Sequence, residues 1–185
     1  VFEDAYARAY APFLEVLENW PGFRTCLHHT GPLLEWIERK RPTYLERLGA
    51  LVERGQVELL GGAFYEPILP VIPERDRIGQ IELMSDWLER VFGVRPRGMW
   101  LAERVWEPSL PRAMAAAGIE YTVLDDQHFR AVGLDEQDML GYFLTEEEGW
   151  TVAVFPIHSG VRQQIPYVEP PATIDTLRNL ARGAA

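Results

Sequence analysis

Two short stretches bring carboxylates together with aromatic rings. Phe64-Tyr65-Glu66-Pro67-Ile68-Leu69-Pro70 and Val105-Trp106-Glu107-Pro108-Ser109-Leu110-Pro111 share one pattern: apolar, aromatic, Glu, Pro, a variable position, Leu, Pro. Proline predicts extended backbone for the Glu before it. For Glu107 the simple reading is a place beside a helix start, where the helix dipole favours an anion. That reading is weaker for Glu66, whose loop runs on to Pro73. Glu103 lies in Trp100-Leu101-Ala102-Glu103-Arg104, just past a short apolar run. A carboxylate desolvated by apolar neighbours, yet kept ionised by an adjacent cation, suits a nucleophile. An ordinary surface pair with Arg104 is the plainer alternative, and spacing alone leaves both open.

Aromatic faces beside carboxylates suit sugars, whose C–H faces stack while their hydroxyls take hydrogen bonds. Trp100, Trp106, Tyr65 and Phe64 supply such rings here, although any single one is more often a core residue. Asp125-Asp126-Gln127-His128 follows another apolar run. With His28 and His29, these side chains could form a carboxylate/imidazole metal site, while acids that cap turns are the simpler reading. The dinucleotide, P-loop, serine-hydrolase and zincin fingerprints are absent.

The elements that must carry these residues alternate along the chain. Phe2, Tyr6, Tyr10, Phe13 and Leu17 recur at helical spacing, with a kink expected at Pro12 unless two helices meet there. Strands are expected at 23–27, 56–60, 98–101, 121–124 and 151–155. Helices are expected at 33–39, 43–54, 73–92 and 109–117, with the prolines at 166–171 in a loop. Short apolar strands alternating with amphipathic helices predict an α/β fold with a parallel sheet. An open doubly wound sheet and a closed barrel give the same alternation. In both, functional side chains lie past the C-terminal ends of the strands.

Composition narrows the function. The 185 residues are 47% apolar and 25% charged, which fits a folded globular chain and no second domain boundary is visible. A net charge of −10 disfavours nucleic acid and anionic membrane surfaces as partners. No apolar run approaches a membrane span. Cys26 is the single cysteine, which excludes an intrachain disulfide and points to a reducing, cytoplasmic setting.

Taken together, these residues resemble glycoside hydrolase family 57. The resemblance rests on Gly61-Gly62-Ala63-Phe64-Tyr65-Glu66-Pro67 and on Trp100-Leu101-Ala102-Glu103-Arg104-Val105-Trp106-Glu107-Pro108, which are similar to the family's second and third motifs. It extends through His29 to Trp36, Val123 to Phe129 and Ala153 to Ile157. It implies a (β/α)7 barrel, of which 1–185 is one segment truncated at both ends, and a retaining mechanism on α-glucans without cofactor. Glu103 would be the catalytic nucleophile, in preference to Glu107. Glu66, Trp100, His29 and Asp126 would bind the substrate, an α-glucan or maltooligosaccharide. The Ala-Glu-Arg-Val-Trp form of the third motif is similar to the 4-α-glucanotransferase and α-amylase group. The family's first motif and the Asp of its fourth, the general acid/base, have no match here, so the segment alone is expected to be inactive. Two rival readings are a metal-dependent deacetylase or mannosidase-like barrel using Asp126, His128 and His29, and a non-catalytic glucan-binding module.

Overall fold

The computed structural model describes residues 1–183; Ala184 and Ala185, at the chain end, lie outside the described residues. The chain begins with helix α1 (Phe2–Ala5), a π-helical turn (Tyr6–Tyr10) and helix α2 (Ala11–Asn19). The helix continues through the expected kink. Pro12 sits in the first turn of α2, and the Ala11 amide reaches back to the Tyr6 carbonyl, five residues away. The wide turn before Pro12 makes room for its ring against the preceding turn. It also changes which residues face inward. A four-residue step overshoots one α-helical turn by about 40°, and the π turn takes up the surplus. Tyr6 and Tyr10 therefore share the core with Leu14 and Leu17, while Phe13, expected inside, is exposed.

Strand β1 (Thr25–Leu27) is shorter than expected, and Phe23 and Cys26 are exposed. Helix α3 (Gly31–Lys40) follows, its first turn capped by the Thr30 hydroxyl accepting from the Leu33 amide at 3.4 Å. Then come helix α4 (Pro42–Glu53), strands β2 (Val57–Leu59) and β3 (Gly61–Gly62), and helix α5 (Glu74–Phe92), which ends on left-handed Gly93. Strand β4 (Gly98–Trp100), helix α6 (Leu110–Ala116), strand β5 (Tyr121–Asp125) and helix α7 (Asp126–Arg130) come next. A hairpin of β6 (Phe143–Glu147) and β7 (Trp150–Ile157) leads to helices α8 (Ser159–Gln164) and α9 (Pro170–Gly183). Of the prolines expected in a loop, Pro170 and Pro171 instead open α9, where a missing amide hydrogen costs nothing.

The ladder order resolves what periodicity left open. β1 pairs with β2, and β3, β4, β5 and β7 lie side by side in chain order, all parallel. The Leu60 amide bonds the Leu27 carbonyl, so β2 and β3 act as one strand bent at Leu60. A doubly wound sheet reverses its strand order at a switch point. This sheet never reverses, so it winds in one direction, as a barrel wall does. The antiparallel β6 lies outside β7.

Alternation along the strands separates two faces. On β5, Thr122 and Leu124 are buried toward the helices, whereas Tyr121, Val123 and Asp125 face the other, partly open side. On that side Tyr121 donates to the Glu58 carboxylate at 2.7 Å and packs edge-on against Phe155. Its ring crosses Gly98, where any β-carbon would sit 2.1 Å from it. Two apolar clusters hold the covered side. One joins α2, α3, α4 and α5 around Leu17, Ile37, Leu48 and Met84; the other joins α5, α6, β4 and β7 around Ile81, Met99, Met114 and Val154. Each buried aliphatic side chain contributes roughly 1.5–3 kcal/mol. Among the described residues, no helix is long and apolar enough to cross a membrane.

His29 belongs to this core. It is 6% exposed, and its Nε2 lies 2.9 Å from the Tyr44 hydroxyl, with the Tyr10 ring alongside. Burial, with a smaller contribution from His28, pulls its pKa down to about 4. The unfolded chain therefore binds a proton that the folded chain refuses between pH 6.5 and 4, and stability falls as pH falls through that window. The cost reaches about 2 kcal/mol at pH 5. Thermal or urea unfolding between pH 7 and 5 should show this loss, and His29→Gln, which keeps a polar partner for Tyr44 without titrating there, should shrink it.

Candidate active site

The pairing of Gly61 with Met99 and Gly62 with Trp100 sends two loops out of the sheet side by side. Glu66 stands on one and Glu103 on the other. Each is in the left-handed backbone region, with φ of 51° and 53°, and Arg104 repeats it at 53°. Glu66 therefore departs from the extended backbone that Pro67 after it predicts, because the loop's tertiary anchors override that local preference. Left-handed backbone costs a residue with a β-carbon on the order of 1–3 kcal/mol and gathers at functional sites. Among the described residues only one other non-glycine residue, Glu148, shares it.

The Glu66 loop is anchored from below and behind. The Phe64 amide bonds the Gln80 carbonyl, and the Tyr65 amide bonds the Gln80 side chain at 2.9 Å. Phe64, expected near the cleft, is instead buried over Gly31, where a β-carbon would sit 2.2 Å from its ring. Tyr65 is exposed. Arg77 of α5 donates to the Pro70 and Ile72 carbonyls and to the Ser109 hydroxyl, tying the two loops together. Nothing in the sequence marks Arg77 for that task. His28, directly after β1, places Nδ1 3.3 Å from the Leu60 carbonyl and Nε2 3.3 Å from the Glu66 carboxylate. Gly62 allows this approach, because a β-carbon there would sit 2.8 Å from the His28 ring. Between the two histidines it is thus His28, not His29, that reaches the acidic loops.

The Glu103 loop differs from the expectation in two respects: Glu103 is exposed, not desolvated, and its neighbouring cation is engaged elsewhere. Arg104 does not pair with Glu103. Its Nε–H donates to Asp125 at the end of β5, at 3.0 Å, and its guanidinium lies over the Trp100 ring, 5.4 Å from the centroid. Arg162 of α8 reaches the other Asp125 oxygen at 3.4 Å. Glu103 is exposed and, among the described residues, its carboxylate has no hydrogen-bonding or ion-pairing partner within the chain. Glu107 is exposed three residues before α6.

Asp126 is buried and occupied. It accepts from the Ser159 hydroxyl at 2.8 Å, from the Ser159 amide and from Arg130. Burial pushes its pKa up, and the Ser159 and Arg130 contacts outweigh that, leaving it below the usual carboxylate value. His128, two residues on along α7, turns instead into an apolar pocket of about 420 Å³ with Trp106, Phe129 and Phe143. Residues two apart on a helix do not share a face. With His29 in the core, the three side chains of the metal reading diverge, and among the described residues no three His, Cys, Asp or Glu side chains converge on a point.

The family model described as "Glycosyl hydrolase family 57" matches residues 1–182. The chain belongs to glycosyl hydrolase family 57. It is 48% identical over 181 residues to "Alpha-amylase 1" of Dictyoglomus thermophilum, a match covering 98% of this chain and 26% of that protein. It is 45% identical over 180 residues to the "4-alpha-glucanotransferase" of Thermococcus litoralis, covering 97% and 27%. The crystal structure of that glucanotransferase superposes with a TM-score of 0.95 at 44% identity, over 97% of this chain and 28% of the other. The chain thus spans about a quarter of the length of these family 57 relatives.

The left-handed backbone at Glu103 can be measured. Glu103→Gly should be more stable than Glu103→Ala by about 1 kcal/mol, because only glycine adopts this conformation without a steric penalty. Urea unfolding of the two variants side by side tests it.

Proposed function

We propose that this chain carries the nucleophile of a retaining α-glucan-acting enzyme of the 4-α-glucanotransferase or α-amylase type. The observation that carries the reading is the exposed Glu103 carboxylate, without a partner among the described residues, on a strained loop at the mouth of a barrel wall and beside the Glu66 loop. Family membership and the names of the relatives agree with it.

In this mechanism a Glu103 oxygen attacks the anomeric carbon from below. The bond from C1 to the glycosidic oxygen breaks, and that oxygen takes a proton from a second carboxyl. The product is a glycosyl ester on Glu103. Water or a sugar hydroxyl then attacks C1, giving its proton to the same second group and releasing the carboxylate. The two carboxyls of such a pair stand about 5–5.5 Å apart. We assign the second one to polypeptide outside these 185 residues, so that this segment is one part of a longer catalytic barrel. No metal or organic cofactor enters the steps.

Glu66, held by His28, is placed to take hydrogen bonds from substrate hydroxyls. Trp100 offers one indole face to a sugar, the other being covered by Arg104. His29 and Asp126, spent on Tyr44 and on Ser159 and Arg130, support the walls and leave sugar contact to their neighbours. The single thiol at Cys26 suits a cytoplasmic location.

In the full-length protein, Glu103→Gln should lower kcat on maltooligosaccharides at least ~10³-fold while binding persists. Glu103→Gly with added azide should release a glycosyl azide, which marks the vacated side of C1. Wild-type-like turnover of Glu103→Gln would end the assignment. Glu66→Ala should act mainly through KM, raising it about tenfold with a smaller change in kcat, as read by initial rates over a substrate series.

A further inference from the structure

Asp125 stands at the end of β5, in the position that opens α7, where an aspartate commonly caps the helix with its side chain. It makes no such cap bond. Its carboxylate turns across the sheet to the neighbouring strand end instead, accepting from Arg104 at 3.0 Å through one oxygen and from Arg162 at 3.4 Å through the other. Arg104 and Asp125 are only 15% and 13% exposed at their side chains, so this is not a solvated surface pair. The guanidinium is also fixed from its flat side, over Trp100. Arg104 is the residue immediately after Glu103, and both are left-handed. This left-handed backbone is held by one side chain with two neighbours, Asp125 and Trp100.

We propose that Asp125 is a positioning residue for Glu103: by fixing Arg104 against Trp100 it holds the strained turn that aims the Glu103 carboxylate, and through Arg162 it ties α8 to that turn. The inference rests on Glu103 being the nucleophile. It accounts for the lost helix cap and for an arginine beside the nucleophile that does not pair with it. Removing the Asp125 charge leaves Arg104 largely buried beside a neutral group, and the turn loses its outer anchor.

The test is the rate at which a fluorinated α-glucosyl fluoride, a reagent that traps the glycosyl ester, labels the full-length protein, with the modified peptide sequenced. Asp125→Asn should slow labelling of Glu103 about 10- to 100-fold, with maltooligosaccharide binding within twofold of the parent. Arg104→Gln should slow labelling similarly, and the double variant should be no slower than the slower single one. If Asp125→Asn does not accumulate as folded protein, Arg104→Lys, which keeps the charge but not the planar stack, is read in the same assay and should also be slow. Labelling of Glu103 in Asp125→Asn within twofold of the parent, or losses that multiply in the double variant, overturn the positioning role alone. A label on another side chain in the parent protein overturns the nucleophile assignment first and this inference with it.

Discussion

Two residues of backbone pairing, Gly61 with Met99 and Gly62 with Trp100, determine where both acidic loops leave the sheet. Everything distinctive about the site builds on that short ladder. Because it is parallel and in register, Glu66 and Glu103 start from adjacent points at the same height. Because its members include glycines, His28 can close in from β1. Tertiary anchors then do what local preference would not: Gln80 and Arg77 hold one loop, and Asp125 and Trp100, through Arg104, hold the other.

The charges are sorted by depth. The deeper carboxylates, Asp125 and Asp126, are consumed by arginines and by Ser159, and the favourable contacts at Asp126 outweigh the penalty of burial. The shallower pair differs: Glu66 meets one imidazole, and Glu103 meets solvent. A buried carboxylate must be satisfied by the protein itself. One that is to act on a substrate must keep an unsatisfied face, and it can do so only where water fills that face in the substrate's absence.

Much of this organisation could be read from sequence. The helices at 43–54 and 73–92 and the strands after them follow from apolar periodicity and from Gly and Pro at their ends, since local spacing and capping decide such elements. The location of Glu66 and Glu103 past strand ends follows from the same pattern. What escaped depends on partners distant in the chain. Arg104 beside Glu103 in sequence reads as its ion pair, yet the closer partner in space is 21 residues away. His28 and His29 are indistinguishable by type, and only their partners in space, Glu66 for one and Tyr44 for the other, separate the site residue from the core residue. Strand β6 carries Thr145, Glu146 and Glu147, and so lacks the apolar run that marked the other strands.

The π turn at Tyr6–Tyr10 has a consequence for anyone rebuilding this protein. A regular rod threaded through 2–19 would carry the same side chains in the wrong rotational phase beyond that turn, by about 100° for each residue gained or lost. Phe13 would swing toward the wall and Leu14 away from it. Shortening the segment by one residue is therefore a rotation of everything on its far side, and a chimera joined within it inherits the twist of whichever parent supplies the bulge.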